Sequence, residues 1–184
     1  MKKILICMVF VININLFGTP AQVIIIRHGE KPKDHSDVNL NQKGKERAAA
    51  LVPYFVGRPE VTQFGLPEAI FAQSPKDENS SERPVQTVTP LSNLINVAID
   101  SDYTHSEFPE MIEAIMNNSN FDDKMVLICW EHTVINEIAA KFGLSKPKAY
   151  PDSAFDQTWI ISFDSHGKPH LKIWQQMLMF GDSK

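Results

Sequence analysis

The sequence predicts an α/β domain in which a mostly parallel sheet carries helices on both faces. Three observations predict it. Val23–Ile26 (V-I-I-I) and Met125–Trp130 (M-V-L-I-C-W) are uninterrupted apolar runs, the pattern of strands buried on both faces. Helical patterns alternate with strand-like runs along the chain, which is how a parallel sheet is wound. Near the end, Thr158–Phe163 and His170–Trp174 alternate on either side of Asp164-Ser165-His166-Gly167, which predicts a C-terminal hairpin.

Leu40–Phe55 is helical because Ala48, Leu51, Val52 and Phe55 share one face, and Gly57-Arg58-Pro59 stops it. Ala69–Ala72 is a short strand, and Gln73–Glu82 is a polar loop. Pro84 suits the first turn of a helix that runs through Leu91 and Leu94. Asn96–Ile99 is a third strand. Glu107–Met116 is an amphipathic helix with Phe108, Met111, Ile112 and Ile115 inward, broken by Asn117–Asn120. Thr133–Phe142 is a helix with Gly143 as its C-cap. Together these elements predict a three-layer α/β/α sandwich.

A chain of 184 residues is long enough for one domain with a real core. Its net charge of −4 argues against nucleic acid, whose partners carry a basic footprint. Lys2 and Lys3 open an apolar run over residues 4–17 that exits through G-T-P-A-Q. A basic start, an apolar stretch and a small-residue exit describe a secretory signal peptide, with cleavage expected after Ala21. Asn13 and Asn15 interrupt the run, and a membrane span needs about 20 apolar residues. The expectation is a signal over residues 1–21, a single domain over 22–184, no stable membrane span after cleavage, and a periplasmic or secreted protein. Cys7 leaves with the signal, and Cys129 reads as a buried small hydrophobe. No Cys/His spacing suggests zinc, and Asp34-His35-Ser36-Asp37 reads as a polar loop, so neither metal nor cofactor is expected.

The chemistry gathers where strands end. The V-I-I-I run leads straight into Arg27-His28-Gly29-Glu30, and Glu131-His132 comes directly after the other long apolar run. Ligands of such sheets sit beyond the carboxyl ends of the strands, so both histidines should reach one edge. Arginine offers a fixed fork of donors that matches phosphate oxygens. Imidazole is a nucleophile when one nitrogen is held as a donor and the other is free. Phosphoryl transfer depends mainly on positioning and electrostatics, so a cation cluster can serve it without metal.

Arg27-His28-Gly29-Glu30 resembles the R-H-G-E signature of the histidine phosphatase superfamily, the phosphoglycerate-mutase-like fold. Leu40-x-x-x-Gly44-x-x-Arg47-Ala48 resembles its L-x-x-x-G-x-x-Q/R-A helix, Arg83-Pro84-Val85-Gln86-Thr87 its R-A-x-Q-T helix start, and Val126–His132 the strand that delivers the second histidine. The resemblance covers about residues 23–163. It implies a metal-independent phosphatase acting on phosphate esters or phosphoprotein phosphates. His28 would be the phosphorylated nucleophile, Arg27 and Arg83 would grip the phosphate oxygens, and His132 would add a donor. Lys31, next to the nucleophile loop, would help attract a phosphorylated small molecule or phosphoprotein.

The sequence departs from the family pattern in three places. Ser74-Pro75 lies farther before the second arginine than is usual, which leaves open whether Ser74, Ser80 or Ser81 nears the pocket. The second histidine sits in Trp130-Glu131-His132-Thr133 rather than in a His-Gly or His-Asp pair. The leaving-group acid is therefore open between Glu131, whose pKa burial could raise, and Glu107 in T-H-S-E-F. With no acid at all, the site would suit a good leaving group such as phosphohistidine or an acyl phosphate. Asp156 could approach from another strand end, and His166 and His170 should lie on the surface. Two readings of other classes stand beside the enzyme: a non-catalytic module that binds phosphorylated ligands, and an envelope-associated interaction protein held by an uncleaved N-terminus.

Overall fold

The computed structural model describes residues 18–34, 36–76 and 81–182. The expected signal peptide falls almost wholly outside the described residues, as do His35 and Ser80.

Six strands form one sheet in the order β3-β2-β4-β1-β5-β6. β1 (Gln22–Arg27) is buried along its whole length. It lies between β4 (Met125–Trp130), which runs parallel to it, and β5 (Gln157–Phe163), which runs antiparallel. β2 (Pro67–Ala72) and the short β3 (Ile99–Asp100) extend the parallel side. β6 (Pro169–Gln175) closes the other side as a hairpin with β5. The expected mostly parallel sheet with a C-terminal hairpin is therefore present.

Alternation along the strands divides the core in two. Val23 and Ile25 of β1 join Val126 and Ile128 of β4 on one face. There they pack against Met111, Ile112 and Ile115 of α4 (Phe108–Met116) and Ile135 and Ile138 of α5 (Ile135–Lys141). Ile24, Ile26 and Leu127 face the other way, onto Leu51 and Phe55 of α1 (Gln42–Gly57) and Val88 and Leu91 of α3 (Arg83–Ile95). Both strong strands are apolar throughout because both of their faces are covered. Among the described residues, no helix is long and apolar enough to cross a membrane.

Three details differ from the expectations of the sequence. Asn96, expected to open a strand, instead caps α3 in the left-handed conformation (φ 55°), its N–H donating to the Ser92 carbonyl, so β3 begins only at Ile99. A short helix, α2 (Pro59–Thr62), comes after α1, with Pro59 in the first-turn position where its missing N–H costs nothing. The expected helix over 133–142 starts as a 3-10 turn at His132–Val134, and the Glu131 side chain accepts the Thr133 N–H at its head.

The register of β1 against β4 brings the two charged strand ends together. Arg27 lies opposite Trp130, and the His28 N–H still donates to the Trp130 carbonyl at 3.2 Å. Residues 28 and 131 therefore leave the sheet side by side at its carboxyl edge.

Candidate active site

His28 is almost fully buried, at 3% exposure. Its Nδ1 lies 2.7 Å from the Gly29 carbonyl. A carbonyl only accepts, so Nδ1 carries the proton and Nε2 keeps its lone pair. Burial, reinforced by the charges of Arg27 and Arg83, pushes the His28 pKa down to about 4, against the opposing pull of the Gly29 carbonyl. At neutral pH the ring is uncharged and its free nitrogen is a nucleophile.

The two arginines flank it. Arg27 Nη1 donates to the carbonyls of Asp152 at 2.6 Å and Ala154 at 2.8 Å, and its guanidinium stacks 3.9 Å above the Phe155 ring. Arg83 Nη1 donates to the Asp37 carbonyl at 2.9 Å. The Nε–H of each arginine is buried and has no partner among the described residues. Folded proteins satisfy nearly all buried polar groups, so these two donors are the ones an anionic ligand would engage.

The residues around His28 are tied from two helices. Thr87 Oγ1, fully buried in α3, accepts the Gly29 N–H at 2.8 Å and donates to the Arg83 carbonyl at 2.7 Å. Gln86 accepts the Leu40 N–H at 2.8 Å and donates to Asn39 at 2.6 Å. On the α1 side, Asn41 caps the helix by accepting the Gly44 N–H at 2.8 Å, while its own N–H donates to the Glu30 carbonyl at 3.0 Å. Gly44 lets the helix come this near: a Cβ there would lie 2.5 Å from the Glu30 carbonyl oxygen and 2.8 Å from the Glu30 nitrogen. The sequence motifs thus hold the loop as well as supplying chemistry.

Glu131 and His132 complete the edge. The Glu131 carboxylate accepts the Thr133 N–H at 3.0 Å and the Thr133 hydroxyl, meets His132 Nδ1, and lies 3.6 Å from His105. Its charge bears on His28, Arg27 and Arg83. Burial raises the Glu131 pKa, but the Thr133 hydrogen bonds, aided by the electrostatic influence of the neighbouring His132 and His28, outweigh it, so the group titrates below its ordinary value. The expectation that burial would raise it is overturned, because the local donors win over desolvation. His132 Nε2 faces Asp152 Oδ1 at 2.9 Å.

The other candidates spread around this edge. Lys31 lines a cleft of about 430 Å³, together with Arg27, Lys33, His132, Asp152 and Phe155. Glu107 accepts from the Thr104 N–H at 2.8 Å and its hydroxyl at 2.6 Å, in the turn before α4. From that turn it is His105 that reaches Glu131 and, at 3.4 Å, Thr133. Ser74 is buried in a turn, its Oγ accepting the Lys76 N–H at 3.3 Å, and Ser81 is buried as well. Asp156 is buried, beside Glu30 and Arg47 rather than in the main cleft. His166 and His170 are exposed. Asp34 and Asp37 accept from Ser36 and Asn39 in tight polar turns.

Sequence reasoning does not find Asp152, Phe155 and His105. They stand in a loop without strand or helix pattern and in a polar turn, and nothing in P-D-S-A-F or Y-T-H-S marks them.

No protein-family model and no curated protein matches the chain. Solved structures do. The protein histidine phosphatase SixA, complexed with tungstate, superposes with a TM-score of 0.58 at 17% identity, over 84% of this chain and 95% of that one. A mycobacterial glucosyl-3-phosphoglycerate phosphatase, in complex with inorganic phosphate, gives 0.53 at 11% identity, over 84% and 97%. A putative phosphohistidine phosphatase SixA from Agrobacterium tumefaciens gives 0.51 at 16% identity, over 84% and 97%. At such identities the likeness is one of fold: this chain has the fold of the histidine phosphatase superfamily, as its motifs lead one to expect.

Proposed function

We propose that the protein is a phosphatase that works through a phosphohistidine at His28. The observation that carries this is a buried, neutral imidazole with Nε2 free, acted on by the charges of two arginines whose Nε–H groups have no partner among the described residues. His28 Nε2 attacks phosphorus, and the bond from phosphorus to the leaving group breaks. Arg27 and Arg83 neutralise the charge that develops on the equatorial oxygens, and His132, whose ring nitrogens face Glu131 and Asp152, adds a donor once the exposed Asp152 side chain gives way to the ligand. Water then attacks the phosphorus of phospho-His28, releasing phosphate and returning Nε2 its lone pair. Glu131, an anion at neutral pH, is suited to take the proton of that water. The fold shared with a protein histidine phosphatase and a phosphoglycerate-type phosphatase supports phosphoryl chemistry.

The ionised state of Glu131 narrows the substrate. A carboxylate already deprotonated gives little help to an alkoxide leaving from an alkyl ester. A leaving group that departs without such help, as the carboxylate of an acyl phosphate or the imidazole of a phosphohistidine already protonated on its other nitrogen, needs no pre-protonated acid. We therefore favour phosphohistidine-type or acyl-phosphate substrates over alkyl phosphomonoesters.

The test is transient labelling with a ³²P-phosphoramidate and a ³²P-alkyl phosphate, with EDTA present. An acid-labile, base-stable phosphoenzyme that is absent from His28→Ala, with faster turnover of the phosphoramidate, is the expected result. Phosphate binding that survives in wild type and His28→Ala alike, with no label in either, would favour a non-catalytic phospho-ligand module.

We also propose export with cleavage after Ala21. In its favour, a chain beginning at Gln22 keeps all of β1. Mass spectrometry of the mature protein should find Gln22 first; Met1 would refute cleavage and point to an N-terminally held protein.

A further inference from the structure

Arg47 projects from α1 beneath the nucleophile loop, where only 1% of it is exposed. Two carboxylates hold its guanidinium. Nε and Nη2 donate to Glu30 at 3.0 and 2.8 Å. Nη1 and Nη2 donate to Asp182, close to the C-terminus, at 3.1 and 2.6 Å. Asp182 also accepts the N–H groups of Leu178 and Met179, both at 2.9 Å, so the tail turns around its own carboxylate. Gly181, at φ 86°, makes that turn possible. Gln176 Oε1 accepts from Nη1 at 3.4 Å, and the Lys43 ammonium stands 3.5 Å from Glu30.

Glu30 is two residues beyond His28, lines the main cleft beside Arg27, and its charge bears on Arg27. A carboxylate and a phosphate compete for the same guanidinium donors. In a cleft partly shielded from water that competition is strong.

We propose that Asp182 is a positioning residue for anion binding: by fixing Arg47 it holds the Glu30 carboxylate away from Arg27 and leaves the Arg27 donors to the phosphoryl group. This rests on the phosphate-binding reading above. Lys43 restrains Glu30 in the same way from the solvent side. The C-terminal tail is thereby part of the anion site without touching the ligand.

Calorimetric titration with orthophosphate and with tungstate tests it, on the full chain. Asp182→Asn keeps the acceptor for the tail turn but loses the charge on Arg47. It should weaken binding about tenfold, and Lys43→Met should weaken it in the same direction. Adding Glu30→Gln to either variant removes the competing charge. It should restore the affinity to within about twofold of Glu30→Gln alone, which a merely structural loss would not allow. Unchanged binding in Asp182→Asn and Lys43→Met, or a loss that Glu30→Gln does not rescue, would overturn the proposal while leaving the phosphate site standing. Failure of the wild type to bind either anion would overturn both.

Discussion

Acidification should cost this protein stability in a window set by His28. Its pKa falls from an ordinary 6.5 to about 4 on folding, because the ring is buried and faces Arg27 and Arg83, with only the Gly29 carbonyl and the Glu131 charge pulling the other way. At 1.36 kcal/mol per pKa unit, the native site prefers the neutral ring by about 3 kcal/mol. Proton counts give the sign. Between pH 6.5 and 4 the unfolded chain holds a proton on this residue and the native chain does not, so stability falls as pH falls through that range and is complete above it. From pH 7 to 4.5 the loss from this residue is about 2 kcal/mol. The assay is urea unfolding of wild type and His28→Gln at several pH values, comparing slopes rather than absolute stabilities. Glu30 and Asp182 also titrate low, but they are present in both proteins and cancel in the difference, and Glu131, coupled to His28, keeps its larger causes, the Thr133 hydrogen bonds, in both. Wild type should lose about 2 kcal/mol more than the variant. Equal losses, or an imidazole NMR titration of His28 centred near 6.5, would refute the buried neutral nucleophile.

Gly44→Ala places a methyl against Glu30 backbone atoms at 2.5 and 2.8 Å, neither of which can swing aside, so thermal unfolding should show a loss of about 1–3 kcal/mol together with a drop in turnover. Thr87→Val preserves shape but strands the buried Gly29 N–H, and it should cost about 1–3 kcal/mol in denaturant unfolding with a larger effect on kcat than on KM. Arg47→Met leaves two carboxylates facing each other in a buried site and should cost about 3–5 kcal/mol at pH 7. Because Arg47 is the largest cause lowering the pKa values of Glu30 and Asp182, part of that deficit should vanish by pH 4 in the same unfolding assay.

Much of the fold and site is legible in the sequence because it is local. The two apolar runs could only be strands covered on both faces, and the register between them comes from burying both runs along their whole length. Gly44 and Thr87 sit in the two segments whose resemblance to family motifs marks them, and the structure sets both against the loop after His28. The parts that are not legible depend on distances in space. The apolar sequence neighbours of Glu131 suggest an acid with a raised pKa. Its own i+2 residue, Thr133, supplies two donors, and these decide its charge. Asp182 comes after Gly181 in a polar tail with no pattern, yet its carboxylate is as buried as the Arg47 guanidinium it holds.

The loop over 150–156 shows how the fold tolerates a buried cation cluster at all. An isolated guanidinium taken out of water costs several kcal/mol unless its donors are met. For Arg27 the partners are two main-chain carbonyls and an aromatic face, none of which carries a formal charge. Had the fold used a carboxylate there, Arg27 would be neutralised in the resting protein and would have to break an ion pair to bind phosphate. Neutral acceptors satisfy one edge of the fork without a direct ion pair, and Nε has no partner among the described residues. The same choice recurs at Arg83, whose Nη1 donates to the carbonyl of Asp37 and not to its side chain. Of the carboxylates whose charge bears on Arg27, Glu30 is the one tied to Arg47 and Lys43, with Asp182 sharing Arg47. The two arginines are thus met directly by dipoles while the carboxylate of the R-H-G-E segment is tied elsewhere, the condition the proposed phosphoryl site needs.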